Sequence, residues 1–223
     1  MVKILCELRI CTNIKNTRLF QIGQLTSEDI RLNQYINGVK KFIELNKKYI
    51  NNKEMDVYIT DNTIAENEKL PDELLNEIPE NVKIITCLNN NYGCFNKGGG
   101  DIEQWLYCKN LIKEYDYFIH FEPRQLLIDN YFIDNFMVNP RSLFTYNNNP
   151  NAKKHYNTGL FCCKSIELID FISNISPEFL TKNHLSIEYV LYDFFNKNNI
   201  KYDVLDKMSL IWYDTHTKRE YHW

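Results

Sequence analysis

Apolar positions in this chain fall into short unbroken runs and longer stretches that repeat at helical spacing, and the two kinds alternate. Residues 2–10 predict a first strand. Residues 11–27 are polar and irregular, with Arg18 and Gln21 available to a ligand or to solvent. From Ser27 to about Lys47, Leu32, Ile36, Val39 and Ile43 share one helical face. Glu28 and Asp29 sit in the first turn of that helix, where acids favour its dipole. Residues 55–60 predict a second strand, which ends on Asp61-Asn62-Thr63. The acidic stretch 64–80, punctuated by Pro71 and Pro79, predicts a short peripheral helix. Residues 82–88 predict a third strand, emptying into a loop that runs to Gly100. Ile102, Trp105, Leu106 and Ile112 mark the buried stripe of a helix over 101–114. Residues 117–121 predict a fourth strand, and it stops at Glu122-Pro123-Arg124-Gln125.

The second half is more mixed. Residues 125–137 are apolar with Asp129, Asn130 and Asp134 interspersed, and they define no element. Residues 142–146 predict a strand, 147–151 an exposed turn, and 155–162 a loop leading into another strand. Helices follow over 165–174 and 186–197, the latter with Ile187, Leu191 and Phe194 on one face. Residues 202–205 and 210–212 predict short final strands, ahead of an aromatic and basic tail. Alternating strand and helix predicts an α/β fold with a mostly parallel central sheet flanked by helices. With 223 residues, no internal repeat and no linker, the chain reads as a single domain, residues 1–125 and 126–223 forming its two halves.

An apolar content of 44% is enough to bury a core and excludes wholesale disorder. A net charge of −3, with scattered lysines, argues against a nucleic-acid partner. No apolar run reaches the roughly 18 residues of a membrane span. The sequence opens directly on strand-like residues without a signal peptide, so a cytoplasmic location is expected. The seven cysteines include no Cys-x-x-Cys pair and lie mostly inside apolar runs, where reduced thiols pack as small hydrophobes. The 29 asparagines, with many Ile and Lys, look like AT-rich coding, as in a large DNA virus or an AT-rich bacterium. A viral source would place the protein in the host cytoplasm.

Candidate chemistry gathers between residues 61 and 124. Asp61 closes the second predicted strand and Glu122 the fourth, so a doubly wound sheet would turn both toward one crevice. A carboxylate there accepts hydrogen bonds from a ring N–H or a sugar hydroxyl. Four of the seven glycines (Gly93, Gly98, Gly99 and Gly100) lie in the intervening loop with Asn91 and Lys97. Glycine admits unusual dihedrals or close approach, and N–H groups ahead of a helix favour a phosphate. The alternatives are a helix cap or Asx-turn for Asp61 and a surface turn for the glycines.

In order and content these segments resemble the nucleotide-sugar-dependent glycosyltransferases of the GT-A fold. Tyr58-Ile59-Thr60-Asp61-Asn62-Thr63 is similar to the family's Val-Asp-Asn-x-Ser motif, whose aspartate contacts the nucleotide base. Asn91-Tyr92-Gly93 through Gly100 is similar to its Asn-x-Gly loop. The strand ending in Glu122-Pro123-Arg124 stands where the family carries the metal-holding Asp-x-Asp. Asn157-Thr158-Gly159-Leu160-Phe161 is similar to its acceptor-side strand, and Ser186-Ile187-Glu188 to the motif that supplies the base of inverting members. The resemblance runs over about residues 4–215. It implies a UDP- or GDP-linked sugar as donor and a glycan or protein as acceptor. Asp61, Asn91, Gly93, Lys97, Gly98, Gly99, Glu122, Asn157, Lys218 and Arg219 would serve the donor, and Glu188 and Arg124 the chemistry.

The departure lies at Asp-x-Asp, and it leaves two accounts. In one, Glu122 holds Mn²⁺ or Mg²⁺ with help from His216 or His222, as the resemblance implies, since family members often take a late histidine as a further ligand. A hard cation wants oxygen donors, however, and Arg124 would repel it. In the other no metal is required, and Arg124, with Lys218 and Arg219, offsets the charge of the leaving diphosphate. Two rival functions stand beside the transferase. A non-catalytic module binding nucleotide sugars or glycans would explain the missing Asp-x-Asp. A nucleotidyltransferase would want a glycine-rich basic signature after the first strand, which residues 11–23 lack.

Overall fold

The structure, a computed structural model, describes residues 2–15, 17–23, 25–66, 68–147, 153–214 and 219–222. Strand β1 (Ile4–Ile10) is buried at every position, because it lies inside the sheet with cover on both faces. A one-turn helix α1 (Arg18–Gln21) follows, capped by the Thr17 hydroxyl, and then α2 (Glu28–Asn51). Helix α2 outruns the predicted end near Lys47 because Tyr49 and Ile50 continue its buried face. β2 (Asp56–Asp61), α3 (Asp72–Leu75) and β3 (Lys83–Thr86) come next. β3 stops short of residue 88, where Leu88 is 73% exposed.

Helix α4 (Lys97–Tyr107) starts at Lys97 rather than Asp101, with Asn96 as its N-cap. The three consecutive glycines therefore lie inside its first turns and are buried, not in a flexible loop. A break at Cys108 leads to α5 (Lys109–Ile112), then β4 (Tyr117–Phe121). The undefined stretch 125–137 resolves into β5 (Leu126–Leu127) and α6 (Tyr131–Val138). β6 (Leu143–Thr145), β7 (Leu160–Lys164) and α7 (Ser165–Asn174) fall where the pattern puts them. α8 (Pro177–Lys182) is an addition. Its start signal, Ser176 as N-cap and proline at the first position, has no apolar repeat behind it. α9 (Ile187–Lys197), β8 (Asp203–Leu205), β9 (Leu210–Asp214) and β10 (Arg219–His222) complete the order.

Seven strands form a mixed, mostly parallel sheet in the order β3-β2-β1-β4-β7-β6-β8. β3, β2, β1 and β4 run parallel, and β7 is antiparallel to both β4 and β6. One face packs Val39 and Phe42 of α2 and Phe136 of α6 on Cys6, Leu8, Ile59 and Phe121. The other packs Trp105 of α4, Phe171 of α7 and Leu191 of α9 on Leu5, Phe118 and Phe161. A small sheet, β10-β9-β5, ties the C-terminal hairpin to the segment just after β4. All seven cysteines are unpaired, and five are buried. Among the described residues, no helix is long and apolar enough to cross a membrane. Strand order reverses between β1 and β4, which opens a crevice at their carboxyl ends.

Candidate active site

The exit of β4 positions the crevice. The Glu122 N–H donates to the Gly159 carbonyl at 2.9 Å, and the Gln125 N–H closes a turn onto the Glu122 carbonyl at 3.0 Å. This turn presses on the middle of α2 at Gly38, where a Cβ would stand 1.8 Å from the Pro123 carbonyl oxygen. At Gly159 a Cβ would stand 1.9 Å from the Gln125 amide nitrogen. The absence of a side chain at Gly38 thus lets α2 pack directly on the backbone of the Glu122–Gln125 turn, and at Gly159 it makes room for the Gln125 side chain.

That turn is one wall of a cleft of about 850 Å³. Lys97, Gly98 and Asp101 come to it from α4, Asn157 to Gly159 from the approach to β7, Ser186 to Glu188 from the start of α9, and Trp212 from β9. Lys97, Gly98, Glu122, Arg124, Asn157 and Glu188, far apart in sequence, are brought together here. Gly98 is what lets α9 come so near, since a Cβ would stand 2.6 Å from that of Ile187. The Asn157 side-chain oxygen accepts from the Gly159 N–H at 3.2 Å, and the Ser186 hydroxyl donates to the Glu188 carboxylate.

A buried ladder of charges underlies the cleft. Glu7 and His120 are register partners on β1 and β4, with His120 Nδ1 2.8 Å from the Glu7 carboxylate. The same carboxylate accepts from Trp105 Nε1 at 2.8 Å and from the Thr60 hydroxyl at 2.9 Å. Burial raises the Glu7 pKa, but His120, then Trp105 and Arg9, together outweigh it and hold the carboxyl below its ordinary range. One step along this face of β1, Arg9 pairs with Asp101 of α4 at 2.8 Å. Burial nonetheless pushes the Asp101 carboxyl up to about 6, against the pull of Arg9 and with a further rise from Glu122.

Glu122 lies 3.5 Å from Arg124. Burial would raise the Glu122 pKa, yet Arg124, then His120, Arg9 and Lys97, keep it below the usual carboxylate range. Lys97 is pulled down by partial burial and then by repulsion from Arg124. Three cations therefore face Glu122 and Asp101, a balance that suits an anionic ligand.

Other predicted site residues spend their polar groups within the protein. Asp61 is fully buried and does not line the cleft. One of its oxygens accepts from the Thr12 N–H at 2.8 Å and hydroxyl at 2.6 Å, and the other from the Thr63 N–H at 2.7 Å and hydroxyl. This is the Asx-turn alternative, which staples the segment after β1 to the end of β2. The N–H groups of Asn91, Tyr92 and Gly93 converge on the Glu103 carboxylate at 2.9, 3.0 and 3.0 Å. The first donors of this loop thus meet a carboxylate of α4, and the Gly99 N–H meets the Asn96 side chain at 3.2 Å. Gly99 is buried, with Thr181 and Tyr92 each 3.2 Å from where its Cβ would be. Gly93 borders a second, smaller cavity. His216 and Lys218 lie outside the described residues. Arg219 opens β10 with its backbone paired to Asp214, and His222 is exposed on the same strand.

The cleft also holds residues that patterning did not single out. His155 is buried, with Nδ1 2.6 Å from the Lys153 carbonyl and Nε2 2.9 Å from the Asn147 amide nitrogen. Those partners fit a neutral ring protonated at Nδ1. His184, at φ 51°, enters by way of α8, the helix the pattern did not show. Arg9 and Asp101 did carry a signal: charge at positions that strand and helix bury.

The resemblance to GT-A enzymes implies a divalent metal, and the donor set tests it. A hard dication needs several oxygen ligands, but Glu122 already faces Arg124, with Arg9 and Lys97 in its field. Among the described residues, no group of three or more His, Cys, Asp and Glu is placed to hold a metal. The described residues do not fit one.

No protein-family model matches this chain, and no curated protein matches it. Among solved structures it is similar to one from Desulfovibrio desulfuricans G20 called a "putative nucleotide-diphospho-sugar transferase". The TM-score is 0.57 at 8% identity, covering 92% of this chain and 80% of that one. At such identity the likeness is one of fold. The chain shares with it a mixed α/β architecture, a mostly parallel central sheet flanked by helices.

Proposed function

We propose that this chain is a glycosyltransferase that moves a hexosyl or related sugar from a UDP- or GDP-linked donor to a hydroxyl of a glycan or protein. The observation that carries this reading is one cleft of about 850 Å³ bordered both by the cations Lys97 and Arg124 and by the Glu188 carboxylate. Residues 1–125 contribute the donor side through Lys97, Gly98, Glu122 and Arg124, and residues 126–223 the acceptor side through Asn157, Glu188 and Trp212. In an inverting transfer the bond from the anomeric carbon to the diphosphate oxygen breaks as the acceptor oxygen bonds to that carbon. Glu188 takes the acceptor's proton. Arg124 stabilises the charge left on the diphosphate, a role its planar, permanently charged group suits without a metal. Glu122 orients Arg124 for it.

Thermal shift against a panel of nucleotide sugars, followed by hydrolysis assays, tests the reading. At least one UDP- or GDP-sugar should raise the melting temperature and be slowly hydrolysed. Glu188→Ala should keep binding but lose roughly 10²–10⁴-fold in turnover, the usual worth of a general base. Arg124→Met should weaken both, and EDTA should leave affinity unchanged. Binding without hydrolysis or transfer of any sugar would make the chain a binding module instead, and no binding at all would overturn the proposal.

A further inference from the structure

A second cavity, of about 50 Å³, opens beside the large cleft and shares Leu19, Lys97, Glu122 and Arg124 with it. Its walls carry Arg9, Arg31, Lys97 and Arg124 against one carboxylate, Glu122. Arg9 and Arg124 have acidic partners in Asp101 and Glu122, whereas Arg31 has none among the described residues. Arg31 is only 5% exposed. Its Nη2 donates to the Tyr35 hydroxyl at 2.8 Å, while its Nε and Nη1, and the Nε of Arg9, meet no protein acceptor. The Tyr35 oxygen also receives the Cys11 N–H at 3.0 Å, and burial pushes its pKa up to about 12, so it gives Arg31 a neutral partner.

A buried guanidinium with unanswered donors and no counter-charge is unfavourable until an anion reaches it. The cavity is far below the roughly 300 Å³ at which ligand pockets begin, and a water takes up about 30 Å³. That leaves room for a single oxyanion and not for a nucleobase. We infer that this cavity binds one phosphoryl oxyanion, held by Arg31 and Arg9 with Lys97 and Arg124 at its mouth. The site stands whether or not a sugar is transferred. In a transferase it seats a phosphate of the donor.

Calorimetric titration of the full chain at constant ionic strength tests this with three ligands: inorganic phosphate, UDP and uridine. Arg31→Met should weaken UDP, and phosphate if it binds free, by tenfold or more, and should leave any uridine affinity unchanged. Loss confined to UDP assigns the anion to a nucleotide. Arg31-dependent phosphate binding with no nucleotide-sugar binding keeps the site and removes the transferase reading. Equal affinities in wild type and Arg31→Met, or no binding of phosphate or UDP to wild type, overturns the inference. A read-out without any variant is the arginine Nε–H spectrum of ¹⁵N-labelled wild type. Buried Nε resonances should shift on addition of phosphate or UDP, and unmoved resonances would equally sink the proposal.

Discussion

Two groups of polar residues lie near the carboxyl edge of this sheet, and they differ in what the protein leaves unanswered. The carboxylates of Asp61 and Glu103 already have donors: two threonines for one, three consecutive N–H groups for the other. Around Arg31 and Arg9, buried guanidinium nitrogens point at no protein acceptor. Both groups look equally apt for a ligand when read as residue types. Hydrogen-bond satisfaction separates them, because a buried polar group without a partner is costly and persists where something else can supply one. The first group is architecture, and the second is a site.

The contrast can be broken at several points. Glu103→Ala should be the most damaging change, because three loop N–H groups would lose a buried charged acceptor. A loss of about 4 kcal/mol in chemical denaturation is expected, whereas a loss below about 1 kcal/mol would mean the loop holds itself. Asp101 gives a pH-dependent test. Burial puts its carboxyl at about 6 in the folded chain against an ordinary 3.8, with Arg9, Glu122, His120 and Glu7 around it. Between those values the folded chain keeps a proton that the unfolded chain has released. The resulting stability is therefore full below pH 3.8 and lost as pH rises through about 6. Relative to Asp101→Asn, wild type should lose up to about 3 kcal/mol on going from acid to neutral pH. A flat difference would show that Asp101 titrates normally.

Gly38→Ala should cost about 2 kcal/mol by overpacking. It should also depress nucleotide-sugar turnover, because the added methyl pushes directly on the turn that carries Arg124. Unchanged turnover would detach that turn from the chemistry. Asp61→Asn is the mildest case, with about 1–2 kcal/mol lost from its threonine bonds and nucleotide affinity intact. A tenfold drop in affinity at full stability would return Asp61 to the donor site.

Much of the fold was legible because burial on a two-residue or near-four-residue repeat writes itself into the chain. Strands β1, β2 and β4 and helices α2, α7 and α9 are visible that way. α8 carries no such repeat, and β5 has only two residues, so both emerge only once neighbours pack on them. The glycines are the instructive misreading. Their clustering predicts a loop, yet Gly98 lies in a helix, and it is a glycine there because α9 passes too close for a side chain. Composition marks glycine, but contact distance decides its purpose.

By itself, the sequence determined the alternating α/β plan and the placing of Glu122 and Arg124 at the end of a central strand. It also set a charged pair, Glu7 and Arg9, on one face of a buried strand, since residues two apart in a strand point the same way. Which charges find partners was decided only by tertiary structure. Arg9 meets Asp101 from ninety-two positions away, Glu7 meets His120 across the sheet, and Arg31 meets no acid among the described residues. Charge is local to a residue, but its compensation depends on distance and dielectric in three dimensions.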